Sequence, residues 1–223
     1  MKGLVFTGGD MTDLSMVSSL IAGYDIVVAA DSGLDAAVRL GFSVDYVVGD
    51  MDSVTNRSAL ERIPSSKRIV WPRDKDYTDT ELAMSLMRDK GVDQIILLGG
   101  SGGRMDHVYA LQSLFTGTNS PDMWIGTDSI VMGIGEGCLS RQVIISGLCD
   151  ESPVSVFSAS REGHCISEGL VWPLDHVDWQ HGSYSLSNRS KSGSCTIEAV
   201  FGRFVVIFPV SDKIAVQRII ANF

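Results

Sequence analysis

The sequence is poor in cysteine, and it has no long apolar run. Its four cysteines are Cys138, Cys149, Cys165 and Cys195, and none of them forms a C-x-x-C pair. This spacing matches no common zinc motif, so we expect free thiols in a reducing compartment. No apolar run approaches the ~18 residues that a membrane-spanning helix needs. The first residues lack the apolar stretch of a signal peptide, and we therefore expect a cytoplasmic protein with no membrane partner.

Basic residues are also scarce relative to acidic ones. The 223 residues include 18 Lys and Arg against 27 Asp and Glu, which gives a formal net charge of −9. A nucleic-acid surface needs a basic field to neutralise phosphates, so we expect no nucleic-acid partner. Small anionic ligands stay possible, because local Arg and Lys side chains, backbone N–H groups or metal ions can hold them.

Continuous apolar runs alternate with helical patterns in the first part of the chain. The apolar runs predict strands at 4–6, 25–30, 44–48, 69–71 and 94–98. The segments between them predict helices at 34–40, 78–90 and 106–115. Such alternation is typical of an α/β domain with a doubly wound, mainly parallel sheet.

The pattern changes near residue 135, where Gly133, Gly135 and Gly137 indicate a loose stretch. Segments of alternating polarity follow at 142–145, 154–157, 184–186, 195–201 and 204–208. They predict antiparallel strands, and only the last few residues suggest a helix. We therefore predict an α/β catalytic domain over residues 1–135 and a C-terminal antiparallel β-sandwich domain over residues 136–223.

Acidic residues follow the ends of two neighbouring predicted strands. Asp31 ends one strand, and Asp50 and Asp52 end the next. Ligands of open parallel sheets bind outside the carboxyl ends of the strands. If the backbone stays extended, Asp50 and Asp52 point the same way and repel each other unless a cation neutralises them. Mg²⁺ prefers such carboxylates together with phosphate oxygens, so the pair predicts either a magnesium site or a solvated acidic turn.

A third acid stands at the start of the helix predicted over residues 78–90. Thr78 and Glu81 match the capping-box pattern. Asp79 lies three and four residues before Leu82 and Ala83, so it shares their inward face. An inward acid at a helix start needs a partner, and a metal ion would serve.

The loop before this helix is strongly charged. Lys75 is expected to meet a phosphate as a point charge. Asp76 either lies with the nucleotide or only ties down the loop. The alternative for the whole segment is a charged surface loop with a helix cap.

A glycine-rich loop follows the strand predicted at 94–98. Four glycines among residues 99–103 let the backbone approach a ligand and turn N–H groups inward. Arg104 can hold phosphate oxygens through two hydrogen bonds, and the next helix offers its N-terminus to an anion. No G-K-[ST] follows, so this is not a Walker A loop. A structural turn is the alternative, and a lone His107 is more often structural than catalytic.

Several motifs occur together in a specific order along the chain. They are Gly49-Asp50-x-Asp52-Ser53, Lys75-Asp76-x-Thr78-Asp79 and Gly102-Gly103-Arg104-x-Asp106-His107, followed by Gly169-Leu170-x-Trp172-x-Leu174 and Ser185-Leu186-Ser187-Asn188. Together they resemble the thiamine pyrophosphokinase family, and the resemblance covers nearly the whole chain. One departure is Leu111, where that family commonly has Asn.

The resemblance implies a function and a set of site residues. The function is magnesium-dependent transfer of a pyrophosphoryl group from ATP to the hydroxyl of thiamine. The implied enzyme is a homodimer that binds thiamine between the α/β domain of one subunit and the β domain of the other. Asp50, Asp52 and Asp79 are the implied magnesium ligands and catalytic acids. We place Asp31, Ser53, Lys75, Asp76, Thr78, Gly102, Gly103, Arg104, Asp106 and His107 at the nucleotide, and Trp172, Ser185, Ser187 and Asn188 at thiamine.

Other functions stay open at this point. The same chemistry on another alcohol, such as a hydroxymethylpterin, is disfavoured by Trp172 and by Ser187-Asn188. A non-catalytic thiamine or nucleotide sensor is disfavoured by the presence of all three acids. A dinucleotide-dependent oxidoreductase ranks low, because Gly8-Gly9-Asp10 after the first strand is not a G-x-G-x-x-G motif.

Overall fold

The computed structural model describes residues 1–220 as two β-sheets with five α-helices. The strands of the first part are β1 (Lys2–Phe6), β2 (Ile26–Ala30), β3 (Tyr46–Gly49), β4 (Arg68–Val70), β5 (Gln94–Leu98), β6 (Met123–Ile125) and β7 (Ser129–Gly135). Those that follow are β8 (Ser140–Ser146), β9 (Pro153–Ser158), β10 (His164–Glu168), β11 (Tyr184–Arg189), β12 (Ser194–Phe201), β13 (Arg203–Pro209) and β14 (Ala215–Ile220). The helices are α1 (Ser18–Ile21), α2 (Gly33–Arg39), α3 (Arg57–Arg62), α4 (Asp79–Asp89) and α5 (Met105–Ser113).

The larger sheet has ten strands in the order β11-β9-β13-β7-β6-β5-β1-β2-β3-β4. From β6 to β4 the neighbours are parallel, and Leu4 at the centre lies opposite Val27 and Ile96. From β6 to β11 they are antiparallel. The smaller sheet, β10-β12-β8-β14, is antiparallel throughout. The predicted fold class, a mainly parallel α/β sheet followed by antiparallel β structure, is confirmed.

One hydrophobic core joins the two parts of the chain. It runs from Leu4 and Phe6 in β1 through Ile134 in β7 to Phe204 and Phe208 in β13. All five residues of β2 are buried, as expected for a parallel strand covered on both faces. The division predicted between residues 135 and 136 stays a prediction, since both the large sheet and this core continue across it.

Two predictions about the second half were wrong. Gly133 and Gly135 belong to strand β7 and not to a loose stretch. A side chain at Gly135, where φ is +98°, would place its Cβ 2.1 Å from the carbonyl oxygen of Gly202, so this glycine permits close backbone packing. The C-terminal segment before residue 221 forms strand β14, which pairs with β8, and not a helix. Residues 221–223 lie outside the described part of the chain.

The three predicted helices are confirmed as α2, α4 and α5, each with slightly different ends. The short helices α1 and α3 and the strands β6 and β10 were not predicted. Helix α4 begins with a complete capping box, in which Thr78 Oγ1 accepts from Glu81 N and Glu81 Oε2 accepts from Thr78 N at 2.8 Å. Among the described residues, none of the helices is long and apolar enough to cross a membrane.

The capping box yields a stability prediction. Thr78→Ala removes the acceptor for the Glu81 N–H, so we expect the free energy of unfolding to fall by about 1 kcal/mol. The melting temperature should fall by about 2–4 °C, measured by thermal unfolding without ligands. Glu81→Gln is the control, because glutamine still accepts from the Thr78 N–H. Equal losses in both variants would show that the charge of Glu81 matters as much as the cap.

Candidate active site

Three carboxylates meet at the carboxyl edge of the parallel sheet. Asp31 follows β2, Asp50 follows β3, and Asp79 is the first residue of α4. Each offers one oxygen, and these oxygens all lie within 4.8 Å of one another. Helix α4 packs on β2 and β3, which explains why a residue distant in sequence joins the two strand ends. The site therefore lies where ligands of open α/β sheets bind.

The backbone around this cluster has an unusual conformation. Asp31 and Met51 adopt positive φ angles of 48° and 62°. Gly49 has φ +136°, and a Cβ built on it would lie 2.9 Å from both Cγ and Oδ1 of Asp79. A side chain at position 49 would therefore push Asp79 away. Non-glycine residues with positive φ cost roughly 1–3 kcal/mol each and concentrate at functional sites.

The acids are partly buried and lie close to one another. Burial raises the pKa of the Asp79 carboxyl, nearby Lys75 opposes this, and the charges of Asp31 and Asp50 raise the pKa further. Lys75 Nζ lies 3.0 Å from Asp79 Oδ1. Ser53 Oγ donates a hydrogen bond to Asp31 Oδ2, whereas Asp31 Oδ1 is buried and accepts none from the described residues. A buried carboxylate oxygen of this kind could accept a hydrogen bond or coordinate a cation.

Asp52 does not join this cluster. The positive φ of Met51 interrupts the extended backbone, so Asp50 and Asp52 do not share a direction as the alternation of a strand would require. Asp52 is exposed, and its backbone N–H donates to Asp50 Oδ1 at 3.1 Å. The structure thus groups Asp31, and not Asp52, with Asp50 and Asp79. The assignment of Asp52 as a metal ligand stays a prediction.

The glycine-rich loop faces the acids across the cleft. Gly102 and Gly103 both have positive φ, and their N–H groups donate to no acceptor within the described residues. Arg104 binds Asp106 through two hydrogen bonds of 3.1 and 2.5 Å, and this contact lowers the pKa of the Asp106 carboxyl. Both side chains are exposed, so the arginine is available to an incoming anion. His107 is also exposed.

These elements line one cleft of about 830 Å³, a size typical of small-molecule sites. Its lining includes most of the predicted nucleotide residues, namely Asp31, Asp50, Asp52, Ser53, Lys75, Thr78, Asp79, Gly102, Gly103, Arg104, Asp106 and His107. Asp76 is the exception, since it is exposed and does not line the cleft. Leu111 also lines it, and its Cδ1 would clash with a Cβ at Gly100, so Leu111 packs closely against this glycine.

The prediction did not include several cleft residues. Arg73 and Tyr77 line it from the charged loop, and Thr7 and Thr80 line its base, where their hydroxyl groups share a hydrogen bond of 2.8 Å. A threonine at the end of a buried strand was a signal for Thr7. No local signal distinguished Arg73 from other surface arginines.

The predicted thiamine residues lie outside this cleft. Trp172 is 53% exposed, with the Arg189 guanidinium 5.1 Å from its ring centroid. Ser187, also exposed, has φ +55° and lies in a β-bulge of β11. Asn188 is fully buried: its Nδ2 donates to the Trp172 carbonyl oxygen at 2.6 Å, and its Oδ1 accepts from the Trp172 N–H at 3.1 Å. Asn188 therefore holds the backbone of Trp172 in place. Ser185 contacts Asn188 Nδ2 at 3.3 Å.

Comparison with known proteins agrees with this geometry. The model of a family described as thiamin pyrophosphokinase, catalytic domain, matches residues 17–125, which include the whole acid cluster. Over this segment the chain is similar to the catalytic domain of thiamin pyrophosphokinases. Members of this family thus share the segment that carries Asp31, Asp50 and Asp79.

Individual members of the family are similar in sequence or in fold. Thiamine pyrophosphokinase of Bacillus subtilis is 26% identical over 119 residues, which are 52% of this chain and 55% of that protein, so the match spans about half the length of that relative. Solved structures of a thiamin pyrophosphokinase family protein from Enterococcus faecalis and of thiamin pyrophosphokinase from Candida albicans superimpose with TM-scores of 0.75 and 0.67, both at 18% identity. The first match covers 94% of this chain and 99% of that one, and the second 94% and 89%. At such identities the likeness concerns the fold.

The contacts of Asn188 predict a structural role. Asn188→Ala leaves the backbone groups of Trp172 without partners, so we expect the free energy of unfolding to fall by about 1–3 kcal/mol in denaturant titrations. The exposed neighbour Ser187 is the control, because Ser187→Ala should change the free energy of unfolding by less than about 0.5 kcal/mol. Full stability of Asn188→Ala, with weaker thiamine binding, would instead make Asn188 a direct substrate contact.

Proposed function

We propose that this protein transfers the pyrophosphoryl group of ATP to the hydroxyl of thiamine, giving thiamine diphosphate and AMP. The observation that carries the proposal is the convergence of Asp31, Asp50 and Asp79 opposite a glycine-rich loop with Arg104. The match of residues 17–125 to the catalytic domain of thiamin pyrophosphokinases supports the choice of thiamine as acceptor. Four cysteines without a disulfide accord with a reducing, cytoplasmic location.

The charge of the cleft argues for a divalent cation. Its lining holds five carboxylates, those of Asp31, Asp50, Asp52, Asp79 and Asp106, against the three cations Arg73, Lys75 and Arg104. A triphosphate would be repelled by such a surface unless a cation intervened. The oxygen donors suit Mg²⁺, which binds through one or two carboxylates together with substrate phosphates. The buried Asp31 Oδ1, which accepts no hydrogen bond within residues 1–220, fits the same ion.

We assign the metal site to Asp50 and Asp79, add Asp31 from the geometry, and keep Asp52 at the exposed side of the cleft. A bound Mg²⁺ would neutralise charge on the phosphate oxygens as it develops during transfer.

The chain's own residues would position the phosphates for the transfer. The Gly102 and Gly103 N–H groups would donate to phosphate oxygens, and Arg104 would leave Asp106 to bind them with its two nitrogens. These contacts hold the β-phosphorus in line with the attacking alcohol oxygen, so that the bond to the α-phosphate oxygen breaks and AMP departs. Leu111 would offer an apolar contact within the nucleotide cleft.

The acceptor site is proposed around Trp172, together with Ser185 and Ser187. The exposed indole ring would stack on the cationic thiazolium or on the aminopyrimidine, a contact worth roughly 0.5–2 kcal/mol. Asn188 acts through Trp172 by fixing its backbone. None of these residues lines the phosphate cleft of the same chain, so we propose a homodimer in which each thiamine site is shared between subunits.

The function is tested by one assay with one variant. Purified protein with ATP, thiamine and Mg²⁺ should form AMP and thiamine diphosphate in equal amounts, and a chelator should abolish both. Asp79→Asn should lower turnover by roughly 10²-fold or more, because it removes a charged metal ligand, while the unfolding curve stays that of a folded protein. Near-normal activity of this variant would exclude the metal assignment.

Other products have defined meanings in the same assay. ADP with thiamine monophosphate would mean that the γ-phosphoryl group is transferred instead. Turnover of a hydroxymethylpterin but not of thiamine would move the function to another alcohol. Thiamine binding without any product would indicate a sensor.

The shared site predicts complementation between two defective chains. Asp79→Asn damages the phosphate site, and Trp172→Ala should raise the KM for thiamine roughly 2- to 30-fold. Co-expressed in equal amounts and assayed well below that KM, they should recover about a quarter of wild-type activity, because half the dimers are mixed and each holds one intact site. Activity no higher than the mean of the two separate variants would place the whole site within one chain.

A further inference from the structure

One side chain of the charged loop is turned inward. Residues Arg73, Asp74, Asp76 and Tyr77 are exposed, whereas the Lys75 side chain is only 12% exposed. Its ammonium lies 3.0 Å from Asp79 Oδ1 and donates to the carbonyl oxygen of Pro72 at 3.1 Å. Lys75 therefore ties the loop to the acid cluster.

This contact is the one ion pair that the three clustered acids make among the described residues. The other two, Asp31 and Asp50, pair with no lysine or arginine there, and Asp79 Oδ1 is buried. Three carboxylates at this separation repel one another strongly, so the ammonium of Lys75 supplies the positive charge that keeps them together without a metal ion.

We propose that Lys75 is an internal counter-ion of the acid cluster and is displaced when a divalent cation binds. Mg²⁺ approaches a carboxylate oxygen to about 2.1 Å, which would leave two cations on Asp79 within a few ångströms of each other. The flexible four-carbon stem of Lys75 allows its ammonium to move instead. The released charge then faces the phosphate side of the cleft, which couples metal binding to phosphate binding. This inference rests on the metal site of the proposed function.

The test measures metal binding alone, without ATP or thiamine. Free Mn²⁺ is followed by its electron paramagnetic resonance signal, which is lost as the ion binds. Lys75→Met should bind Mn²⁺ at least about tenfold more tightly than the wild type, because its competitor is gone. Arg73→Met is the matched control: Arg73 lines the same cleft but is exposed and makes no ion pair with the acids, so the change should be less than about twofold.

Stability without metal provides a second readout. In chelator, Lys75→Met should melt at a lower temperature than the wild type, and saturating Mn²⁺ should raise its melting temperature by more. Lys75→Met should cause no further fall in melting temperature when Asp79→Asn is already present, because this double-mutant cycle isolates the contact between Lys75 and Asp79. A purely phosphate-binding lysine would change neither the Mn²⁺ affinity nor the metal-free melting temperature.

Three results would overturn the proposed exchange of Lys75 for a divalent cation. The first is unchanged or weaker Mn²⁺ binding by Lys75→Met, and the second is an equal gain in affinity in Lys75→Met and Arg73→Met. The third is no Mn²⁺ binding by either Lys75→Met or the wild type. Product formation decides the proposed function separately. If AMP and thiamine diphosphate form in a magnesium-dependent way but Lys75→Met binds Mn²⁺ like the wild type, only the exchange is overturned. Tighter Mn²⁺ binding by Lys75→Met without any product would support the exchange and overturn the proposed reaction.

Discussion

Three carboxylates held within 4.8 Å of one another repel each other, and the architecture of the cleft opposes that repulsion. The parallel sheet places the ends of β2 and β3 side by side, and the packing of α4 on both strands brings the third acid to them. Gly49 leaves the space that the Asp79 carboxylate occupies. Such convergence costs free energy in the metal-free protein, and it is retained where a cation restores the balance.

The same constraint explains which parts of the site the sequence predicted. The acids at the strand ends were predicted because each follows an apolar run, and Asp79 was predicted from helical periodicity. The sequence did not reveal the direction of the Asp52 side chain, because the prediction assumed an extended backbone between Asp50 and Asp52. Met51 has φ +62°, a conformation that a non-glycine residue rarely adopts and that no local pattern announced. A single dihedral angle thus interrupts the alternation that would have aligned Asp52 with Asp50.

The fold was predictable wherever local periodicity and tertiary burial agreed. Strand β2 is apolar throughout, β5 is apolar after Gln94, and α4 has both periodicity and a capping box. Strand β7 was missed because its glycines resemble a loop when read locally, although Gly135 leaves room for the close approach of the Gly202 carbonyl oxygen. A short stretch of sequence does not show which distant strand it pairs with, so strand β14 was not predicted. Only the complete sheet determines these segments.

The separation between the two predicted ligand sites limits how the proposed reaction can occur. Trp172 and the residues of β11 do not line the cleft that holds the acids, yet an in-line transfer requires the acceptor oxygen within about 3–3.5 Å of the phosphorus. Strand β11 is the edge of the ten-stranded sheet and exposes Tyr184 and Leu186, while α5, beside the cleft, exposes Met105 and Tyr109. Exposed apolar side chains of this kind indicate contact surfaces. A twofold pairing of chains that brings β11 of one subunit to α5 of the other would complete both sites with a single repeated interface.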